Sequence, residues 1–258
     1  MIHPTALIAP NAQLHPTVSV GPYSIIGEDV QIGEGTHIGS SVVIEGKVRL
    51  GKKNQVGHGS IIGGFPQHLA YTRQQSSVWI GDENIIREHV IIHRGLKDGS
   101  ETRIGSYNYL MGQTHIAHDC HVGNHIILTH SSLLAGHCVV EDYANIGGMV
   151  GVHQFVRVGS YAMIGGLSRI VQDVPPFMIC EGNPAQLFGL NKIGLKRANF
   201  SSDDLSQLKR AYQILFLKKG PLLQEALKLC EKEFTSPRVK QLLNFMIPSK
   251  KGILRRTS

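Results

Sequence analysis

Long apolar runs are absent from this chain of 258 residues. None approaches the roughly 18 residues needed for a membrane-spanning helix, so no span is expected. The sequence opens without a basic flank and apolar core, so no secretory leader is expected either. Cysteine is scarce: four residues, Cys120, Cys138, Cys180 and Cys230, too few and too scattered for a disulfide framework. Free buried thiols in a cytoplasmic protein are the reading. Tryptophan occurs once, aromatics make up 6% of the chain, and they do not interleave with the basic residues. With no recognisable motif either, nucleic acid is not expected as a partner.

What the chain does have is a beat of six. An aliphatic residue recurs in one unbroken frame from Ile2, Ile8, Leu14 and Val20 to Ile62, returns at Ile80, Ile86 and Ile92, and runs again from Ile104 to Ile170. Six matches neither the 3.6-residue period of a helix nor the two-residue period of a plain strand. It describes a solenoid in which short strands alternate with tight corners. Three hexads make a triangular coil, so residues eighteen apart stack at about 4.8 Å. Glycine often follows the aliphatic (Gly21, Gly33, Gly51, Gly57), which suggests corner backbone angles that favour it. Small or β-branched fillers sit four places after the aliphatic, and Cys120 and Cys138 share that position, stacked inside the tube.

Two segments interrupt the beat without losing its phase, at about 64–79 and 94–103. Loops leaving a regular scaffold are where function collects. The sequence divides into a solenoid over 1–190 and a small helical domain over 191–258. In the latter, helices are expected after Ser201 or Ser202, after Gly220-Pro221 and after Ser236, with a loose tail from Lys250. From Lys192 onward there are 15 Lys and Arg against 5 Asp and Glu, so the basic excess belongs to this segment and asks for an acidic partner.

Fourteen histidines are many for this length. The eighteen-residue coil stacks His118 on Gly136 and Gln154, Asp119 on His137, and Ala117 on Ala135 and His153. Such a cluster suits a general base with an orienting partner. Three other readings are open. The histidines could be exposed corner residues on a non-catalytic scaffold, as His3, His15, His37, His58 and His130 are read. His125 and His130 have a spacing suggestive of a zinc-dependent hexapeptide-repeat carbonic anhydrase, although no third ligand is evident. The cluster could also serve a different transferase.

The ordered motifs HIAHDCHVGN, LAGH, IGGMVGVHQF, QDVPP and EGNPAQLFGLNKIGLKR, with IHRG at 92–95, resemble the UDP-N-acetylglucosamine acyltransferases that open lipid A biosynthesis. The resemblance covers essentially the whole chain. It implies a mainly β fold, a single-stranded left-handed parallel β-helix followed by a small C-terminal α-helical domain. It also implies a cytoplasmic enzyme of a Gram-negative bacterium, assembled as a homotrimer. That enzyme would move a 3-hydroxyacyl chain from acyl carrier protein to the 3-position of a UDP-sugar. No metal and no cofactor beyond the carrier's phosphopantetheine arm is implied. By resemblance His118 is the base, Asp119 orients it, and the Gly136 N–H stabilises the oxyanion. His115, His137, His153 and Gln154 line the sugar and pyrophosphate site. Gln67, Asn191 and Arg197 hold the nucleotide sugar, and the acyl groove is gauged near Gly166. The basic tail, including Lys218, Lys219, Arg238 and Lys240, would dock the acidic carrier.

Four positions depart from the family pattern: His68 and Ala70 where Asp and Lys are common, Ile193 in place of Glu, and Ala198 in place of Arg. They raise a 3-amino sugar, giving an amide product, as the alternative acceptor. Arg169, three residues beyond Gly166, is either a cation closing the floor of the acyl groove or an exposed corner residue.

Overall fold

The computed structural model describes residues 1–217, 223–247 and 249–255, with backbone only at 223–226. Strands of two to four residues wind around a triangular coil and pair in parallel with the coils above and below. Face one begins at Leu7–Ile8 and ends at Arg169–Ile170. Face two runs from Gln13–Leu14 to Arg157–Val158. Face three runs from Ser19–Val20 to Met163–Ile164 and continues through Met178–Gly182 to the antiparallel strand Ala185–Leu190. Among the described residues the three sheets hold nine, eight and ten strands. From Val20 onward the aliphatic of each hexad points into the tube: Ile26, Ile38, Ile44, Ile62, Ile92, Ile104 and Ile116 are all sealed from solvent. Each such side chain contributes about 1.5–3 kcal/mol on burial.

Phase survives the interruptions because they add whole hexads. Ile62 pairs with Ile92 across the first excursion and Ile80 with Ile104 across the second, while Ile104 pairs with Val122 at the ordinary interval. The excursions are tighter than the broken beat suggests. Strands Ser77–Ile80 and Glu101–Ile104 already belong to the wall, leaving 65–76 and 94–100 outside it. The two loops are tied together where Asp98 Oδ1 accepts from the Gln75 N–H at 2.7 Å.

The glycines serve a purpose other than the one their placement suggests. Gly21, Gly33, Gly51 and Gly57 do not have positive φ. A Cβ on Gly21 would stand 2.7 Å from the Gly39 backbone, and one on Gly57 2.5 Å from Arg87. They permit close approach between coils. The left-handed angles fall two residues later and mostly on side-chain-bearing residues, such as Tyr107, His125, Tyr143 and Tyr161 (φ 61, 56, 63 and 57°). That conformation costs roughly 1–2 kcal/mol per residue. Stacking between those rings, at centroid separations of 5.0, 4.6 and 4.7 Å, offsets it. Inside the same corner, three buried asparagines replace the small filler. Asn84 Nδ2 donates to Asn54 Oδ1 at 2.9 Å, and the Asn108 N–H donates to Asn84 Oδ1 at 2.9 Å. Buried amides are thereby satisfied coil by coil.

Helix α1 (Lys192–Arg197), capped by Asn191 Oδ1 on the Gly194 N–H, is short and was not expected from the sequence. Helices α2 (Ser202–Tyr212, continuing as a π-helical stretch Gln213–Leu217), α3 (Leu223–Glu233) and α4 (Pro237–Met246) follow. Ser201 and Ser236 cap α2 and α4. Lys218, Lys219 and Gly220-Pro221 lie outside the described residues. No described helix is long and apolar enough to cross a membrane.

Over its described residues, 250–255, the tail is not loose. Asp173, fully buried, accepts from Arg157 Nε at 2.9 Å and from the Ser249 hydroxyl at 2.9 Å. Its backbone exchanges hydrogen bonds with Gly252 and Leu254, and Ile253 and Leu254 bury their side chains. Arg157 also donates to the Phe245 carbonyl at 2.6 Å and lies over its ring, joining α4 to the same knot. Leu254→Ala is therefore expected to lower stability by about 2–3 kcal/mol, read from the urea midpoint. A loose tail would leave the midpoint where it is.

Candidate active site

The corner between faces one and two gathers the polar residues that the coil interval brings together. His118 is buried, with Nδ1 2.7 Å from Asp119 Oδ2. Asp119 is fixed from three sides. It sits at φ 59°, its N–H donates to Thr102 Oγ1 at 2.8 Å, and its Oδ2 accepts from the Leu96 N–H at 3.0 Å. Burial opposes the charge on this carboxyl, but hydrogen bonds from His118, Ser100 and Leu96 outweigh it and hold its pKa below the usual range. Asp119 therefore remains an anion that accepts from Nδ1–H of His118 and leaves Nε2 as the basic nitrogen.

One coil on, Gly136 makes room for that imidazole. A Cβ there would meet His118 Cε1 at 2.5 Å and Nε2 at 2.6 Å. The Gly136 carbonyl accepts from the Phe155 N–H, whereas among the described residues the Gly136 N–H has no acceptor. His137 stands edge-on to His118 at 5.1 Å, with Nε2 3.8 Å from Asp119 Oδ2, and stacks on Phe155 at 4.6 Å. Burial is the main cause lowering the pKa of His137, with the Asp119 charge acting against it. From this corner a groove of about 530 Å³ opens along face one. Gln67, His115, His118, Gly136, His153 and Gln154 line it, together with Leu133, Leu134 and Val152.

The sequence reading missed two neighbours. His93 Nδ1 lies 3.2 Å from His115 Nε2, rings T-shaped at 4.9 Å. Burial, then the charges of His115 and His118, pushes His93 down to about 4. His115 is lowered as well, by burial and then by His118. This pair is therefore neutral at pH 7 and interacts by hydrogen bonding. The signal for His93 was available in the frame. Ile92 pairs with Ile116, which puts His93 one coil before Ala117. His68, from the first loop, lies 5.5 Å from the His118 ring, edge-on, and also lines the groove.

Other expected residues lie elsewhere in a single chain. Asn191 and Arg197 line a separate hollow on face three with His125, Tyr143 and Tyr161, and the Asn191 side chain is engaged with Gly194 and the Tyr161 carbonyl. Gly166 is exposed on the corner between faces three and one, beside Gly148, and is not part of the groove lining. His125 and His130 stand on different corners, His125 sandwiched between Tyr107 and Tyr143, so they do not share a ligand set. The described residues able to share a cation are His118, Asp119 and His137, whose ligand atoms lie within 4.8 Å of one another. In this arrangement Asp119 Oδ2 is already committed to His118 and Leu96.

The lowered His93 has a measurable consequence. Unfolded, it takes up a proton near ~6.5, and folded only near about 4. Between those values the unfolded state binds more protons, so stability rises with pH and is lost as pH falls through that window. The drop in urea midpoint from pH 7 to pH 5 should be smaller in His93→Gln than in the parent. An equal drop in both would show that His93 does not carry this linkage.

The family described as "Udp N-acetylglucosamine O-acyltransferase; Domain 2" matches residues 173–254. An acyl-[acyl-carrier-protein]–UDP-N-acetylglucosamine O-acyltransferase from Burkholderia lata is 47% identical, across 98% of this chain and 99% of the relative. The structure of LpxA from Acinetobacter baumannii superposes with a TM-score of 0.95 at 40% identity, covering 98% of this chain and 99% of that one. A UDP-N-acetylglucosamine acyltransferase from Campylobacter jejuni gives 0.94 at 37% identity, with both chains fully covered. The architecture is thus the left-handed parallel β-helix with C-terminal helices. This chain belongs to the acyl-[acyl-carrier-protein]–UDP-N-acetylglucosamine O-acyltransferase family, the acyltransferases of lipid A biosynthesis.

Proposed function

We propose that this chain transfers a 3-hydroxyacyl group from acyl carrier protein to the 3-hydroxyl of a UDP-N-acetylglucosamine-type sugar, as the first step of lipid A biosynthesis in the cytoplasm. The observation that carries this reading is His118, held by Asp119 at 2.7 Å and facing the unengaged Gly136 N–H at the head of a largely apolar groove. His118 Nε2 removes the proton from the sugar hydroxyl as its oxygen attacks the thioester carbonyl. The Gly136 N–H receives the oxyanion. Collapse of the tetrahedral intermediate breaks the carbon–sulfur bond, and the departing thiolate recovers the proton from His118. The carrier's phosphopantetheine arm brings the acyl group, and the reaction needs no metal. Neutral His115 and His137, with His153 and Gln154, line the place of the sugar, and Gln67 approaches from the loop.

Asn191 and Arg197 suit a nucleotide sugar, since the guanidinium presents a fixed fork to phosphate. Their position on face three calls for a second copy to bring them to the groove, which fits a homotrimer with sites between subunits. The carrier would dock on the basic C-terminal helices. Lys240 is exposed on α4, whereas Arg238 is partly covered by its position over the Phe200 ring, 4.4 Å away.

His118→Ala should lower kcat by about 10²- to 10⁴-fold while the oligomer stays folded. Mass spectrometry of the products formed with 3-hydroxy and 3-amino UDP-sugars identifies the acceptor. An ester supports the reading, an amide alone moves the chain to the alternative acceptor, and no acyl product from either sugar sinks it. Lys240→Glu should raise KM for the acylated carrier, more at low than at high salt. Identical Michaelis constants at both ionic strengths would remove the α4 face from the docking surface.

A further inference from the structure

Both excursions leave the wall at one place. Gly64, the last residue of the strand Ile61–Gly64, is in register with His93, and the Arg94 N–H donates to the Gly64 carbonyl at 3.1 Å. The chain departs from Gly64 into the first loop and from Arg94 into the second. Arg94 follows His93 in the IHRG motif but does not line the groove. Its side chain lies among Glu45, Gly46 and Phe65 and is only 12% exposed. Nε is buried and, among the described residues, has no hydrogen-bond partner. Glu45 Oε1 stands 3.9 Å from Nη2, too far for a hydrogen bond. Gly46 leaves space for the guanidinium, since a Cβ there would collide with Nη1 and Cζ. The ring of Phe65 covers the cation, with Cζ 4.5 Å from the ring centroid.

A guanidinium taken out of water without hydrogen bonds is costly. The face of an aromatic ring recovers part of that cost, and more where the pair is desolvated. Phe65 is the first residue outside the wall, and the groove-lining Gln67 and His68 follow two and three places later. Residues 67–70 are all exposed, so packing of their own side chains does little to hold them. The loop is held instead at its ends. Phe65 and the buried Pro66 root it, the Phe65 ring meets Tyr71 at 5.5 Å, and Asp98 accepts from Gln75 at the far side. We infer that Arg94 is a positioning residue for the acceptor site: its guanidinium holds Phe65 down and so sets Gln67 and His68 over the groove. Arginine suits the place because its planar head stacks on a ring and gives up water more readily than an ammonium. This inference rests on the acyl-transfer reading above, in which Gln67 approaches the sugar from the loop.

The test measures KM for the UDP-sugar and KM for the acylated carrier separately, on the full-length parent, Arg94→Met, Phe65→Leu, Phe65→Tyr and the double variant Arg94→Met with Phe65→Leu. Arg94→Met and Phe65→Leu should each raise KM for the sugar about three- to ten-fold, with KM for the carrier within about two-fold of the parent. Phe65→Tyr, which keeps the ring face, should stay near the parent. The double variant should be no worse than either single one, because both break the same contact. A merely structural loss would lower the amount of active enzyme, and with it kcat, without separating the two Michaelis constants. Equal rises in both constants overturn the assignment, as does an additive double variant. If Arg94→Met does not fold, the half-exposed Phe65 still carries the test: equal sugar constants in Phe65→Leu and Phe65→Tyr overturn it. A parent that makes no acyl product would instead strike at the transfer reading on which this inference depends.

Discussion

Each coil must rise by one strand spacing so that its backbone can hydrogen-bond to the next, and the rest of the molecule obeys that interval. The backbone pairs run from Ile2 against Val20 to Ile164 against Cys180. Glycine appears where two corners come within contact of one another, as at Gly21 over Gly39. The two excursions here add whole hexads, whereas the last turn, from Ile164 to its partner Cys180, is sixteen residues long and still carries Cys180 inward. The site is a product of the same interval. His118 belongs with Gly136 because the rise leaves one coil between them, and a larger residue at Gly136 would occupy the space of the imidazole.

This dependence explains what the sequence made legible. A residue on the regular coil has neighbours that can be counted, so His118, Asp119, Gly136, His137 and Gln154 could be grouped from spacing alone, and the structure groups them. Residues whose partners lie off the coil could not be placed. The Leu96 N–H that holds Asp119 belongs to an excursion with no period. Ile253 and Leu254 are two apolar residues in a basic tail, too short a signal to announce that they seal the end of the tube. The corner glycines were recognised but assigned to backbone angle, because a one-dimensional pattern cannot distinguish a strained φ from a crowded neighbour. Asn191 and Arg197 were grouped with His118 through resemblance, and a single chain keeps them on another face.

The electrostatics of the corner are set by burial more than by charge. The anionic group at its centre is Asp119, sustained by directed hydrogen bonds against desolvation. Around it His93, His115 and His137 are all shifted toward their neutral forms. A surround of neutral imidazoles can donate and accept hydrogen bonds beside His118 and Asp119 without adding charge. Fixed positive charge is concentrated instead after residue 192.

The knot at Asp173 has a consequence for solubility. A parallel coil terminates in a row of backbone donors and acceptors with nothing to pair with, and a second molecule could continue it. Here the strand Ala185–Leu190 turns antiparallel at that terminus, and residues 252–254 bond across the Asp173 segment. End-to-end stacking is a head-to-tail contact and needs both ends free. The cover over face three and over the Asp173 segment shortens the row on which a second molecule could build at this end.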